Sequence, residues 1–392
     1  MNVAKAARDA DPGIEIDVFS DETEPYYARP KLIDFLAGSV DEAGMMFYPK
    51  EWYDKNRIKL HLSSKVSQVD LSEMRLSVNG AWHPFDRLVL ATGATAFVPP
   101  LKGLPKERAF TLRTLDDARR IRDAAASSAH AVVIGGGLLG LETARALTAR
   151  HKGLKVTILE YAEHLLMRQL DHEGAAMLQR WLEGLGIDVM TKAETDEILG
   201  APAVSGVRLK DGRILKADMV VISAGARPDF ALAKEAGLKV GRGLVVDGSL
   251  RTSHPDVFAV GDVIELGGKT WGIIPPALEQ ARIAAKTVLG QPAPEYKGTI
   301  PSNTLKVAGL DLASMGTVRS EHETAESGFE EIRSFSEDRK VYRKFVVKDG
   351  KMIGAILLGT KKDWPKISKT IAEGRPVEPF KASLSDPGFA FP

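Results

Sequence analysis

Residues 131–160 constrain this chain more than any other stretch. Ala131-Val132-Val133-Ile134 is a short apolar run, the pattern of a parallel strand buried on both faces. Gly135-Gly136-Gly137-Leu138-Leu139-Gly140 follows, then Leu141–Arg150 at helical spacing, then a second apolar strand, Leu154–Leu159, ending at Glu160. The order is strand, Gly-x-Gly-x-x-Gly, helix, strand, acid, with Glu160 twenty residues after Gly140. Each position has a physical reason. Gly135 permits the tight turn, Gly137 lets a pyrophosphate approach the backbone, and Gly140 allows the helix to pack closely on the strand. The helix then faces the phosphates with free N–H groups and its positive dipole end. Glu160 can accept hydrogen bonds from a ribose 2′-hydroxyl and would repel a 2′-phosphate, which favours NADH over NADPH. Arg168, downstream, reads either as a phosphate contact or as a solvated surface arginine.

Three further segments have a related design. Arg87–Ala91 is an apolar strand running into the small-residue turn Thr92-Gly93-Ala94, and Met219–Ser223 runs likewise into Ala224-Gly225-Ala226-Arg227-Pro228. Val257–Val260 ends at Gly261 and the carboxylate of Asp262. Each alone reads as a simple strand exit. Together, around a dinucleotide motif, they point to cofactor loops.

The absence of cysteine narrows the chemistry. It removes disulfides, thiol catalysis, iron–sulfur ligation and cysteine zinc sites, so redox work must be carried by a bound cofactor. No two of the eight histidines stand three or four apart, so helical metal-ligand spacing is missing and no metal site is expected. With 53 basic and 52 acidic residues, the chain offers no basic excess for nucleic acid or an anionic membrane. No apolar run is long enough to span a bilayer, and the first residues lack a signal-peptide core, so a cytoplasmic location is expected. At 392 residues, roughly two or three domains are expected.

Pro25-Tyr26-Tyr27-Ala28-Arg29-Pro30, Ala91-Thr92-Gly93, Gly135–Glu142, Ala224–Pro228, Val260-Gly261-Asp262, Leu305–Asp311 and Tyr342–Gly359 occur in an informative order. In this order the chain resembles the FAD-dependent pyridine-nucleotide oxidoreductases of the rubredoxin-reductase and nitrite-reductase flavoprotein type. The resemblance implies an α/β fold with two doubly wound dinucleotide-binding domains and a C-terminal α+β domain. FAD would bind residues 1–112 and 229–299, NAD(P)H the inserted residues 113–228, and the last domain would cover 300–392. The implied activity passes hydride from NADH to FAD and electrons on to a small carrier such as rubredoxin or ferredoxin. The alternatives are the flavoprotein component of a multi-subunit nitrite-reductase-type enzyme, or a flavin-free NAD(H)-binding subunit; a homodimer is also compatible.

The resemblance also implies site residues. Asp262 and Gly261 would hold the FAD ribityl chain, with Asp262 alternatively a helix cap. Arg29, Val66, Ala91, Thr92 and Gly93 would lie near the flavin cofactor, and Asp21 or Glu22 beside the adenosine ribose. Arg29 could equally form a surface ion pair. Gly135, Gly136, Gly137, Leu138, Leu139, Gly140, Glu160 and Gly225 would bind NAD(H). Glu142 resembles a glutamate that pairs with a lysine by the flavin N5. Asp34 occupies that lysine's place here, so Lys31 could act only from a shifted position. Family members begin with a strand and a further glycine loop for the FAD pyrophosphate, whereas Met1–Arg8 reads as the helix after that loop. A misplaced start or a truncated gene is expected, the alternatives being a strand donated by another chain or a flavin-free protein, and neighbouring strand edges are expected to be unpaired.

Overall fold

A computed structural model describes residues 1–299, 302–318, 328–336 and 340–392. Ile300 and Pro301, at the expected start of the last domain, lie outside these residues.

The coenzyme half is built on five parallel strands. Their order is Ile187–Met190, Lys155–Leu159, His130–Ile134, Met219–Ile222 and Ala109–Thr111. Alternate residues enter two separate cores, which is why these strands read as continuous apolar runs. Ala131, Val133, Val156 and Ile158 pack with helix residues Leu141, Ala144 and Leu147. Val132, Ile134, Leu159 and Val220 pack instead on Ile198, Val207 and Leu209 of the antiparallel layer Thr195–Leu199, Gly206–Leu209 and Ile214–Lys216. The glycine-motif helix spans Leu138–Arg150 with Gly137 at its cap position, so it starts inside the motif rather than at Leu141. Its buried positions 141, 144 and 147 recur at the spacing of one helix face.

The first unit carries three separate parallel pairs among the described residues, Ile16–Phe19 with Ile58–His61, Leu88–Leu90 with Val257–Ala259, and Leu244–Val245 with Ile264–Glu265. Helices Asn2–Ala10 and Ile274–Val288 lie against each other beside them. The chain leaves this unit through Ala94–Ala96 and returns through Ala226–Pro228, and the two crossings pair antiparallel. The expected boundary at 112/113 needs correction. Ala109–Thr111 hydrogen-bonds to Met219–Ile222, so the inserted unit begins before residue 109. Three residues are too few to show a strand period in sequence.

The last unit is an antiparallel sheet ordered Ser302–Val307, Leu310–Gly316, Lys351–Leu358, Val341–Lys348 and Phe329–Ser336. One face packs under helix Trp364–Glu373 through Phe345, Leu357 and Trp364. The other joins the coenzyme half's core through Leu310, Leu312, Tyr342 and Ile356. The seam is also hydrogen-bonded. Trp181 Nε1 donates to the Ala308 carbonyl at 2.8 Å, and the Ala308 N–H donates to Glu142 Oε1 at 2.7 Å. Trp181→Phe should therefore cost about 0.5–1.5 kcal/mol, the usual worth of one such bond. Denaturant unfolding of the variant checks this.

Candidate functional site

The glycine loop shows which of its positions answer to packing and which to open space. Gly135 has φ +118°, and a Cβ there would stand 2.2 Å from the Ser223 carbonyl oxygen. A Cβ on Gly140 would stand 2.1 Å from the Gly135 carbonyl oxygen. Both positions exclude any side chain. At Gly137, by contrast, a Cβ would meet nothing within 4 Å. The residue has extended backbone, caps the helix without a side-chain bond, and borders a cleft of about 800 Å³. The first-turn N–H groups of Leu138, Leu139 and Gly140 have no partner inside the helix.

Glu160 stands at the same cleft, at the end of Lys155–Leu159. Its Oε2 accepts the Gly136 N–H at 2.6 Å and its Oε1 the Ala162 N–H at 2.7 Å. The two bonds fix the carboxylate against the glycine loop, and each oxygen keeps a lone pair for a ribose hydroxyl. Gly136, Tyr161, Leu166, Met167, Arg168 and Gln169 complete that wall, so Arg168 is a cleft residue. On the far wall Gly225, φ +106°, lies beside Arg227, whose guanidinium sits 3.7 Å from the Phe97 ring centroid. A pyridine dinucleotide fits these features: an open glycine at a helix start and a fixed carboxylate at the end of the neighbouring parallel strand.

Three of the residues expected around the flavin, Arg29, Gly93 and Asp262, meet at one cleft residue that sequence reasoning missed, Arg113. It lines the cleft, and its Nη2 lies 3.1 Å from Asp262 Oδ2. Its carbonyl accepts from Arg29 Nη1 at 2.7 Å, and a Cβ on Gly93 would come 3.4 Å from its Nη2. The available signal was position. Arg113 precedes Thr114, which forms a capping box with Asp117 at the start of Leu115–Ala125.

Asp262 is not a helix cap. It sits inside the short 3-10 turn Gly261–Val263, where Val260 holds the cap position, and its carboxylate turns to Arg113. Gly261 has φ +85° and open space at its Cβ position; its N–H donates to Gln280 Oε1 at 2.7 Å. Gln280 is fully buried and its Nε2 has no hydrogen-bond partner among the described residues, a second group that sequence reasoning missed. Ala91 and Thr92 are exposed, and Thr92 donates its hydroxyl to the Asp229 carbonyl. Two guanidiniums, a carboxylate, an orphaned amide and an open glycine turn fit the phosphate-and-sugar chain of a flavin dinucleotide.

Arg29 does pair with Glu22, whose other oxygen accepts the Tyr27 hydroxyl at 2.5 Å. Burial and that hydrogen bond to a carboxylate push the Tyr27 phenol well above its ordinary range. Val66 opens the strand Val66–Asp70, paired with Val78. Glu142 and Lys31 keep separate partners. Glu142 holds the Ala308 N–H and Arg145, while Lys31 Nζ donates to the Gly44 carbonyl at 2.7 Å.

Residues 1–287 match the pyridine nucleotide-disulphide oxidoreductase family, and residues 301–375 match the rubredoxin NAD+ reductase C-terminal domain. The chain belongs to the pyridine nucleotide-disulphide oxidoreductase family. It is 33% identical over 374 residues to the assimilatory nitrate reductase electron transfer subunit of Bacillus subtilis, covering 95% of this chain and 48% of that protein. It is 29% identical over 353 residues to the NADH-rubredoxin oxidoreductase of Clostridium acetobutylicum, covering 90% and 86%. A solved ferredoxin reductase from Rhodopseudomonas palustris superposes with a TM-score of 0.85 at 30% identity, covering 96% of this chain and 92% of that one. The chain thus spans most of the length of some relatives but about half or less of the nitrate- and nitrite-reductase proteins it matches.

The loop geometry separates two glycine variants. Gly137→Val should cost the fold no more than about 1 kcal/mol, the worth of a favoured cap residue, and abolish NAD+ binding, because its side chain enters only the cleft. Gly140→Ala should destabilise the fold, because its methyl meets backbone. Calorimetric NAD+ titration beside thermal melts distinguishes them.

Proposed function

We propose that this chain is an NADH-dependent FAD reductase that passes electrons to a small carrier protein of the rubredoxin or ferredoxin kind. The observation that carries the reading is Arg113, which lines the cleft of Gly137 and Glu160 while pairing with Asp262. One side chain therefore borders both the coenzyme cleft and the candidate flavin residues. The names of the Clostridium and Rhodopseudomonas relatives support a carrier protein as acceptor. A second reading, the flavoprotein part of a larger nitrate or nitrite reductase, is favoured by the short span of the chain against those relatives. No described helix is long and apolar enough to cross a membrane, which is compatible with work in the cytoplasm.

FAD, when bound, supplies the hydride acceptor for NADH and one-electron release to the carrier. The chain's own groups bind and orient. The free N–H groups at the start of Leu138–Arg150 hold the coenzyme pyrophosphate, and Glu160 holds the adenosine ribose. Asp262, Arg113 and Gly261 hold the flavin chain. Leu112, Leu138 and Leu139 give the cleft an apolar lining. Hydride transfer itself requires no side-chain nucleophile, and the absence of cysteine fits that.

Purified protein should release FAD on denaturation, and its flavin absorbance should bleach under anaerobic NADH. Flavin that stays unbleached by NADH or NADPH would sink the mechanism; NADH binding with no flavin would mark a flavin-free subunit. In Glu160→Gln the KM for NADH should rise about 10-fold or more, as loss of a charged hydrogen bond implies, while NADPH changes less. Parallel losses for both coenzymes would remove Glu160 from the ribose site.

A further inference from the structure

We propose that Asp171, Tyr342 and Lys344 are positioning residues for the coenzyme, through which the C-terminal sheet holds one wall of the NAD(H) cleft. The inference rests on the reading of that cleft given above.

The wall in question, residues 160–171, contains no helix or strand. It is fixed to the glycine loop by Glu160, and by the Leu166 N–H, which donates to the Gly136 carbonyl at 3.2 Å. Its lining residues end at Gln169. Two residues later the segment is anchored again, at Asp171. That side chain is 2% exposed, and its Oδ1 accepts the Gly174 N–H at 3.1 Å, capping the helix His172–Gly184.

The other oxygen of Asp171 belongs to the C-terminal sheet. Tyr342 donates its hydroxyl to Oδ2 at 2.5 Å, and Lys344 Nζ lies 3.2 Å away. Lys344 is fully buried and also lies 2.8 Å from Glu331 Oε1. At these distances its charge holds both carboxylates. Arg333 completes the group, paired with Glu331 and 3.6 Å from Glu173. Tyr342 and Lys344 stand two apart on Val341–Lys348 and share the face turned to the coenzyme half, whereas Phe345 packs on the opposite face.

Such a network is a poor device for stability alone. Burying an ammonium and a carboxylate costs several kcal/mol in solvation, and apolar residues of equal volume often serve as well or better. What charge pairing and a short directed hydrogen bond add is location. They fix Asp171 against one point of one strand, where apolar packing would allow sliding. Burial alone would raise the Asp171 carboxyl, but the bonds from Tyr342 and Gly174 and the charge of Lys344 hold it below its ordinary value, so it stays ionised. A displaced Asp171 would move Leu166–Gln169, and with them the wall facing Glu160.

The test compares Tyr342→Phe and Asp171→Asn with the parent protein and with Trp181→Phe, which loosens the same seam without touching Asp171. Asn keeps the helix cap, and Phe keeps the ring, so both variants should fold. Calorimetry with NAD+ gives Kd, and anaerobic flavin reduction by NADH gives KM and kcat separately. Both network variants should raise Kd and KM by about 3–10-fold, as loss of one oriented hydrogen bond implies, with kcat and flavin content unchanged. Trp181→Phe should leave Kd unchanged. Lower melting temperature with unaltered Kd and KM in Tyr342→Phe and Asp171→Asn would overturn the proposal, as would an equal rise in Trp181→Phe. A parent protein that binds no NAD+ would overturn the cleft reading itself, and shows before any variant is made.

Discussion

A backbone contact with no room for a methyl group underlies the coenzyme half. The Gly135 carbonyl sits where a Cβ of Gly140 would be, at 2.1 Å, and the Ser223 carbonyl sits where a Cβ of Gly135 would be, at 2.2 Å. These two approaches lock three elements together: the end of His130–Ile134, the start of Leu138–Arg150, and the turn after Met219–Ile222. Their consequence is direction. A helix held this close to its strand must start at the strand's carboxyl end, with its free N–H groups facing the crevice outside the sheet. The site follows from steric exclusion before any charged group is considered.

Charge then refines what sterics has placed. Glu160 reaches the crevice from the neighbouring parallel strand, and the Gly136 and Ala162 N–H groups hold both of its oxygens. A carboxylate held this way cannot turn aside for a second anion, so in the proposed reading it would oppose a phosphorylated ribose by position as well as by sign. Arg113, lining the same cleft, pairs with Asp262 and takes Arg29 on its carbonyl.

Legibility in the sequence follows the range of the interaction. The glycine motif, its strands and Glu160 could be read because turn chemistry, apolar period and strand-end position are local. Arg113 could not, because its meaning comes from Asp262, 149 residues on, and Arg29, 84 residues back. Glu142 shows the same limit: its position in the helix was clear, yet its carboxylate engages Ala308, 166 residues away. Asp262 reads in sequence as a flavin-chain residue or a cap, and only the geometry of Gly261–Val263 shows that it is an ion-pair partner. Buried Lys344 and Gln280 are invisible for a related reason. Each stands beside a charged residue, Lys344 after Arg343 and Gln280 after Glu279, so nothing local marks it as buried, and the cost of burial is offset only by partners brought from elsewhere in the fold.

Chemistry carried by cofactors makes these long-range contacts matter more. A chain without cysteine, whose proposed reaction needs no side-chain nucleophile, has placement as its main means of influencing rate. Reacting atoms held at near-contact distance are sensitive to shifts of an ångström, and loop walls supply such accuracy only when both ends are tied to rigid elements. Here one end of residues 160–171 is tied to the glycine loop and the other to a strand of a different unit. The C-terminal sheet divides its work accordingly. One face packs under its own helix through Phe345 and Leu357, and the other presents Tyr342 and Lys344 among the apolar residues of the seam. Apolar contacts supply the area that keeps the two units together, and the buried polar pair determines where along that area they stop.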